Sequence, residues 1–210
     1  VYRRGAGVAV VLLTHGHPAH AAGARRDARL AAAPVRARNP AHRLGAQGLT
    51  EGDEVTVDGF TLRVLTTPGH SSDSVCFVLP ALRALITGDT VLGRGTSLVA
   101  YPDGSLIDYL RTLHRLAGVV RDSQVGLVLP GHGPVLTDPG RVLADHLAHR
   151  RDRLEQVRAA RAAGATTARA VVERVYADGA PALWPAAELS VRAQLDYLEM
   201  APEEDHPPRG

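Results

Sequence analysis

Val8–Leu13 is an unbroken apolar, β-branched run, the pattern of a strand buried on both faces. It stops at Thr14-His15-Gly16-His17-Pro18. Proline is well tolerated in the first turn of a helix, so Ala19–Leu30 is predicted as the helix that follows. Asp53 and Asp58 flank a short strand pattern and read as turn residues. Thr61–Leu65 alternates and ends at the turn Thr67-Pro68-Gly69-His70. Val75–Leu79 and Leu85–Thr87 are further strands, the second closed by Gly88-Asp89. Leu106–Leu116 has helical spacing, with Leu106, Leu110, Leu113 and Leu116 on one side. Val125–Leu129 is another buried strand, ending at Pro130-Gly131-His132-Gly133.

From Pro139 the pattern changes. Pro139–Ala163 is a long, charged helical stretch ended by Gly164, and Thr166–Ala177 and Pro185–Glu199 read as two more helices. The expected organisation is a larger domain over residues 1–144, a small α-helical module over 145–200, and a frayed tail over 201–210. The beginning is unusual. A buried strand at residue 8 needs neighbours on both sides, and only thirteen residues precede Thr14. Either later strands complete that sheet, or the chain lacks an N-terminal segment and a sheet edge is left exposed.

Composition narrows the field. Hydrophobic residues are 45% and charged residues 22% of the 210, the usual globular mix, which excludes wholesale disorder and fibrous repeats. Aromatic residues are 4%, so the core rests on Ala, Val and Leu. No apolar run approaches the ~20 residues needed to cross a bilayer, so no membrane partner is expected. The single cysteine, Cys76, excludes an intramolecular disulfide framework; set in the apolar run Val75–Leu79, it reads as a core residue in a cytoplasmic protein. A formal charge of +2 does not demand a polyanionic partner.

The chemical signal lies in the ten histidines. His15, His17 and His20 fall within six residues on a loop entering a helix. In an extended loop residues i and i+2 point to the same side, so His15 and His17 can grip one metal ion while His20, a turn into the helix, aims elsewhere. His70 would complete a three-histidine face of the kind that holds zinc. Asp89 could bridge to a second ion, which His20 and His132 would help hold, and paired ions can clamp the oxygens of a scissile ester, amide or phosphate. His42, His114, His146, His149 and His206 read as ordinary surface or core histidines.

Taken in order, Thr-His-x-His-x-x-His, Pro-Gly-His, Gly-Asp and Pro-Gly-His over residues 14–132 resemble the metallo-β-lactamase fold superfamily, whose first motif is His-x-His-x-Asp-His. The run Thr87–Thr96 and the tail around His149–Glu155 are similar to the β-lactamase-like protein 2 branch, which carries a C-terminal winged-helix-like module. The resemblance implies an α/β fold, an αββα sandwich with metals at one edge of two packed sheets, here short of some N-terminal strands. By motif, His15, His17 and His70 would hold the first metal, Asp89 would bridge, and His20 and His132 would hold the second. Where the family has aspartate this chain has Ala19, which can neither ligate nor accept a proton. Zn²⁺ is therefore expected firmly at one site and weakly at the other. No further cofactor is expected, nor any catalytic group beyond the water that a metal activates.

The implied activity is a hydrolase acting on an ester, thioester or phosphodiester, single-stranded RNA among them. Two alternatives stand beside it: a degenerate metal-binding scaffold without catalysis, and a nucleic-acid binder acting through Arg150, Arg151, Arg153, Arg158 and Arg161. Those arginines read equally as a solvated helix face. Ser71, Ser72 and Asp73 follow His70, where a carboxylate either orients a ligand or caps the next turn, and Arg94 and Tyr101 either line the cleft or belong to a solvated loop.

Overall fold

A computed structural model describes residues 7–177 and 180–200. His206 and the tail over 201–210 lie outside them. Strand β1 (Val11–Leu12) is followed by helices α1 (Pro18–Ala21) and α2 (Ala24–Leu30) and then by β2 (Val35–Arg36). Next come β3 (Glu54–Val57), β4 (Phe60–Thr66), β5 (Val75–Leu79), β6 (Ala84–Gly88), α3 (Leu106–Asp122) and β7 (Leu127–Pro130). Helices α4 (Pro139–Ala162), α5 (Ala168–Val175) and α6 (Trp184–Met200) complete the chain.

Two sheets result. β1 and β2 pair in parallel, and β3-β4-β5-β6-β7 form a five-stranded sheet that is antiparallel except for its last pair. The parallel β6–β7 pair follows from the crossover through α3, since parallel neighbours cannot be joined by a tight turn. The β3–β4 hairpin closes through Asp58-Gly59, both at positive φ (49° and 81°), the left-handed pair that a two-residue hairpin requires.

Alternation of side chains sorts the core into layers. Leu65, Cys76, Val78, Leu85 and Val128 leave one face of the large sheet and pack on Leu106, Tyr109, Leu113 and Leu116 of α3 and on Leu143 and Leu154 of α4. Val64, Val75, Phe77 and Ile86 leave the other face, where Leu12 of β1 joins them. Leu13 and Val35 then pack outward on Ala24 and Ala28 of α2. The sequence of layers is α2, small sheet, large sheet, α3 with α4: the expected αββα sandwich. A separate cluster of Val157, Ala160, Val171, Val172 and Val191 ties α4, α5 and α6 together. Because α4 supplies both cores, residues 144 and 145 lie inside one continuous helix.

Two expectations need correction. Only Val11–Leu12 of the Val8–Leu13 run enters a ladder, and both residues are half-buried, because β2 is the single neighbour of β1 among the described residues; Val8 is 40% exposed. The helix expected over Ala19–Leu30 is two helices. The break falls at Ala22-Gly23, where glycine's backbone freedom makes continuation cost about 1 kcal/mol relative to alanine.

Candidate metal centre

The six candidate ligands arrive from four strand-to-loop junctions on the same rim of the sandwich. β1 feeds the loop carrying His15 and His17, and Pro18 starts α1 there, placing His20 within its single turn. β4 ends before the turn holding His70, β6 ends at Gly88 beside Asp89, and β7 ends at Pro130, two residues before His132. Close packing favours glycine at two of these junctions. Gly69 has φ +139°, and a Cβ on it would lie 2.4 Å from the Tyr109 backbone. A Cβ on Gly16 would fall 2.3 Å from Nε2 of His42, whose ring lies against the loop between His15 and His17.

The side chains converge. Asp89 sits at the centre: its Oδ1 is 3.2 Å from His20 Nε2, and its Oδ2 lies 3.7 Å from His132 Nε2, 3.9 Å from His70 Nε2 and 4.0 Å from His15 Nε2. His17 Nδ1 is 3.0 Å from His70 Nε2. Two groups of ligand atoms lie mutually within 4.8 Å, His15 with His17 and His70, and His15 with His20 and Asp89. His15 belongs to both. His20 therefore does not aim away: its ring is 4.2 Å from that of His15, centroid to centroid. His132 is the most open member, with 56% of its side chain exposed.

Burial and hydrogen bonding prepare these groups for a cation. Burial first, and then the neighbouring imidazoles, lower the His15 pKa to about 3. Burial is also the main cause that lowers His70. Both rings are thus neutral at pH 7 and keep a lone pair. For His70 the free atom is settled: the Leu98 carbonyl, 2.6 Å from Nδ1, can only accept, so Nδ1 carries the proton and Nε2 is bare. His15 Nδ1 lies 3.2 Å from Thr14 Oγ1, a hydroxyl that can either donate or accept.

Three atoms in the centre are shielded from solvent without a hydrogen-bond partner: His15 Nε2, His20 Nε2 and Asp89 Oδ1. The last two are close but misaligned. Orphaned buried nitrogen and oxygen atoms cost free energy, and a shared divalent cation would satisfy all three at once. Imidazole nitrogens with one carboxylate suit zinc and neighbouring transition metals, so the residues present fit a metal. Ala19 is exposed on α1 and contributes no atom to the cluster.

The remaining candidates separate. Asp73 accepts from Ser71 Oγ at 2.8 Å within their own turn, whereas Ser72 donates from its backbone N and its Oγ to Asp103, 31 residues further along the chain. Arg94 is exposed, while Tyr101 packs partly buried against the main core. His146 is buried and donates from Nδ1 to Val142 O at 2.9 Å, and His114 is exposed, both ordinary positions. Sequence reasoning missed Leu98, which acts through its backbone carbonyl and leaves no signature in a side-chain pattern. It also missed the part played by His42 in packing against Gly16.

The chain is similar to known proteins over most of its length. Residues 1–132 match the family model described as the metallo-beta-lactamase superfamily, and residues 167–200 match the beta-lactamase associated winged helix domain. The lactamase-like protein notP of Aspergillus sp. (strain MF297-2) is 32% identical over 193 residues, 84% of this chain and 57% of that protein. The beta-lactamase-like protein 2 homolog of Caenorhabditis elegans is 34% identical over 149 residues, 70% of this chain and 48% of that one. An atrochrysone carboxyl ACP thioesterase of Aspergillus fumigatus is 32% identical over 154 residues, 71% and 46% of the two chains. The chain thus spans about half the length of these curated relatives. Among solved structures, a beta-lactamase domain protein from Burkholderia ambifaria superposes with a TM-score of 0.81 at 25% identity, over 93% of this chain and 69% of that one. A histidine-rich rim on an αββα sandwich, followed by this helical module, places the chain in the metallo-beta-lactamase superfamily.

Proposed function

We propose that this chain is a metal-dependent hydrolase that cleaves an ester, thioester or phosphodiester, with Zn²⁺ as the metal. The observation that carries the reading is the convergence of buried, unpartnered His15 Nε2, His20 Nε2 and Asp89 Oδ1 on one rim. His15, His17 and His70 would hold a first ion; His20, Asp89 and His132 would hold a second. Bound there, such ions supply Lewis acidity toward a carbonyl or phosphoryl oxygen and make water a better nucleophile near neutral pH.

The chain's own residues do the rest. The Leu98 carbonyl fixes the His70 tautomer, so that Nε2 faces the centre. Desolvation keeps His15 and His70 uncharged, which spares an incoming cation electrostatic repulsion. Asp89 is the one carboxylate among the four imidazoles around it, and it offsets part of the cationic charge. With Ala19 in place of a second carboxylate, the half-site of His20, Asp89 and His132 holds its ion more weakly. Among substrates the thioester has the most direct support, since the Aspergillus fumigatus relative is named as an acyl-carrier-protein thioesterase. Single-stranded RNA is the phosphodiester alternative. The single thiol, buried at Cys76, is compatible with a reducing, cytoplasmic setting.

A second reading, a metal-binding scaffold without catalysis, is favoured by Ala19 alone. Metal stoichiometry, measured together with hydrolysis of an acyl thioester and of single-stranded RNA, separates the two when the Ala19→Asp variant runs alongside. The hydrolase reading expects one tightly held ion, a second weakly held, and a gain in rate of at least about tenfold on restoring the carboxylate. A parent and a variant that both take up no metal end that reading. Metal uptake with neither substrate turned over by either protein favours the scaffold.

A further inference from the structure

Arg150 is a buried charge, 3% exposed, and no carboxylate lies within ion-pair distance of it among the described residues. It belongs to α4, the helix that also supplies the core of the winged-helix module. A guanidinium in that setting is costly unless its donors are used. Its Nη2 donates to the Ser97 backbone carbonyl, and its Cζ lies 4.9 Å from the Tyr109 ring centroid.

Buried Ser97 and half-buried Leu98 form a short bridge. Ser97 Oγ donates to the Asp89 backbone carbonyl, and the Leu98 carbonyl accepts from His70 Nδ1. Tyr109, beneath the guanidinium, donates from its hydroxyl to Thr90 O at 2.8 Å, one residue beyond Asp89. The two candidate ligands that do not come from the first histidine loop or from His132 are thus oriented by one segment, and Arg150 grips that segment from behind.

We infer that Arg150 is a positioning residue: through Ser97 and Leu98 it sets the direction of His70 and Asp89, so that the helical module tunes the affinity of the metal centre. This rests on the metal-dependent reading above. A planar, five-donor fork holds a carbonyl in direction as well as in distance, which a lysine ammonium does not. Outer partners that orient metal ligands are typically worth ~10–100-fold in metal affinity. Leu154 supplies the contrast, since it lies one turn further along α4, is buried in the same core, and has an apolar side chain that can make no hydrogen bond to Ser97 or Leu98.

The test is Zn²⁺ affinity, measured by competition with a chromophoric chelator, alongside thermal unfolding of the metal-free protein. Arg150→Met and Leu154→Ala are both expected to lower the metal-free Tm. Only Arg150→Met is expected to weaken Zn²⁺ binding, by ~10–100-fold. Arg150→Lys keeps the charge and the fold and is expected to fall between Arg150→Met and the parent, and Ser97→Ala is expected to weaken Zn²⁺ without touching α4. If Arg150→Met does not fold, the Lys and Ser97 variants decide. Unchanged Zn²⁺ affinity in the Arg150 variants, or an equal loss in Leu154→Ala, overturns the proposal while leaving the hydrolase reading intact. A parent chain that takes up no Zn²⁺ overturns both.

Discussion

His70 Nε2 lies 3.0 Å from His17 Nδ1, although the two residues are 53 positions apart in the chain. With the His70 proton committed to the Leu98 carbonyl, His70 Nε2 can only accept, so a hydrogen bond between the two nitrogens needs a proton on His17 Nδ1. A divalent cation would replace that proton and engage both. His70→Ala is therefore expected to abolish tight metal uptake at the site of His15, His17 and His70. Elemental analysis of the dialysed protein reads this directly, and hydrolysis should fall by at least ~100-fold, beyond the usual cost of losing an outer partner. Retention of a full complement of tightly bound metal would remove His70 from the ligand set.

Gly131 guards the other half of the centre. A Cβ there would stand 2.6 Å from Asp89 Oδ1 and 2.8 Å from His20 Cε1. Gly131→Ala is expected to displace both groups, so that uptake at saturating Zn²⁺ stops at one ion per chain. Overpacking of this kind costs about 1–3 kcal/mol, visible as a lower melting temperature. Two ions bound by this variant would contradict the assignment of the second site.

Acid should destabilise the metal-free protein earlier than its carboxylates explain. His15 has an ordinary pKa of 6.5 when unfolded and about 3 when folded, so between those values the unfolded chain binds a proton that the folded chain refuses. The stabilisation is complete above pH 6.5, is lost as pH falls toward 3, and levels off below. His70, His146 and His149 are lowered in the same direction, each with burial as the leading cause. The slope is at most ~1.4 kcal/mol per pH unit for each such histidine. Melting temperatures of chelator-treated protein at pH 7, 6 and 5 should decline steadily, and His15→Gln should flatten the curve. A flat parent profile over that range would show that the rings are protonated in the fold.

Cys76 offers a check on the main core. It is fully buried, and burial pushes its thiol pKa up to about 11. A thiol reagent at pH 8 should label it only at the rate of global unfolding, with saturating denaturant releasing one equivalent. Fast labelling of native protein would mean that the layer between the large sheet and α3 opens locally.

Much of this architecture can be read from one dimension. Runs of apolar residues marked β4 through β7 and α3 to within a few positions, because alternating or helical spacing reflects which face each residue buries. The ligand types were legible for the same reason: His and Asp beside glycine at strand ends have few structural uses. Val8–Leu13 was read too generously, since hydrophobicity records a tendency to be buried and not the number of neighbours a strand has. The helix expected over Ala19–Leu30 is two because a single glycine, Gly23, is easily passed over in an alanine-rich run although it weakens the helix at that point.

What the sequence alone determined is the inventory: five histidines and an aspartate in the order of the motif the chain resembles, Ala19 where that motif has aspartate, and strands and helices of about the observed length. Tertiary structure decided how these meet. That His15 belongs to both ligand groups, that His20 faces Asp89 Oδ1, that Leu98 holds His70 by its backbone, and that an arginine of α4 reaches Ser97 are all facts of convergence between segments far apart in the chain. Distance between side chains depends on the packing of two sheets and three helices, which no local spacing encodes. Backbone carbonyls, identical at every residue, acquire a role only from where the fold puts them.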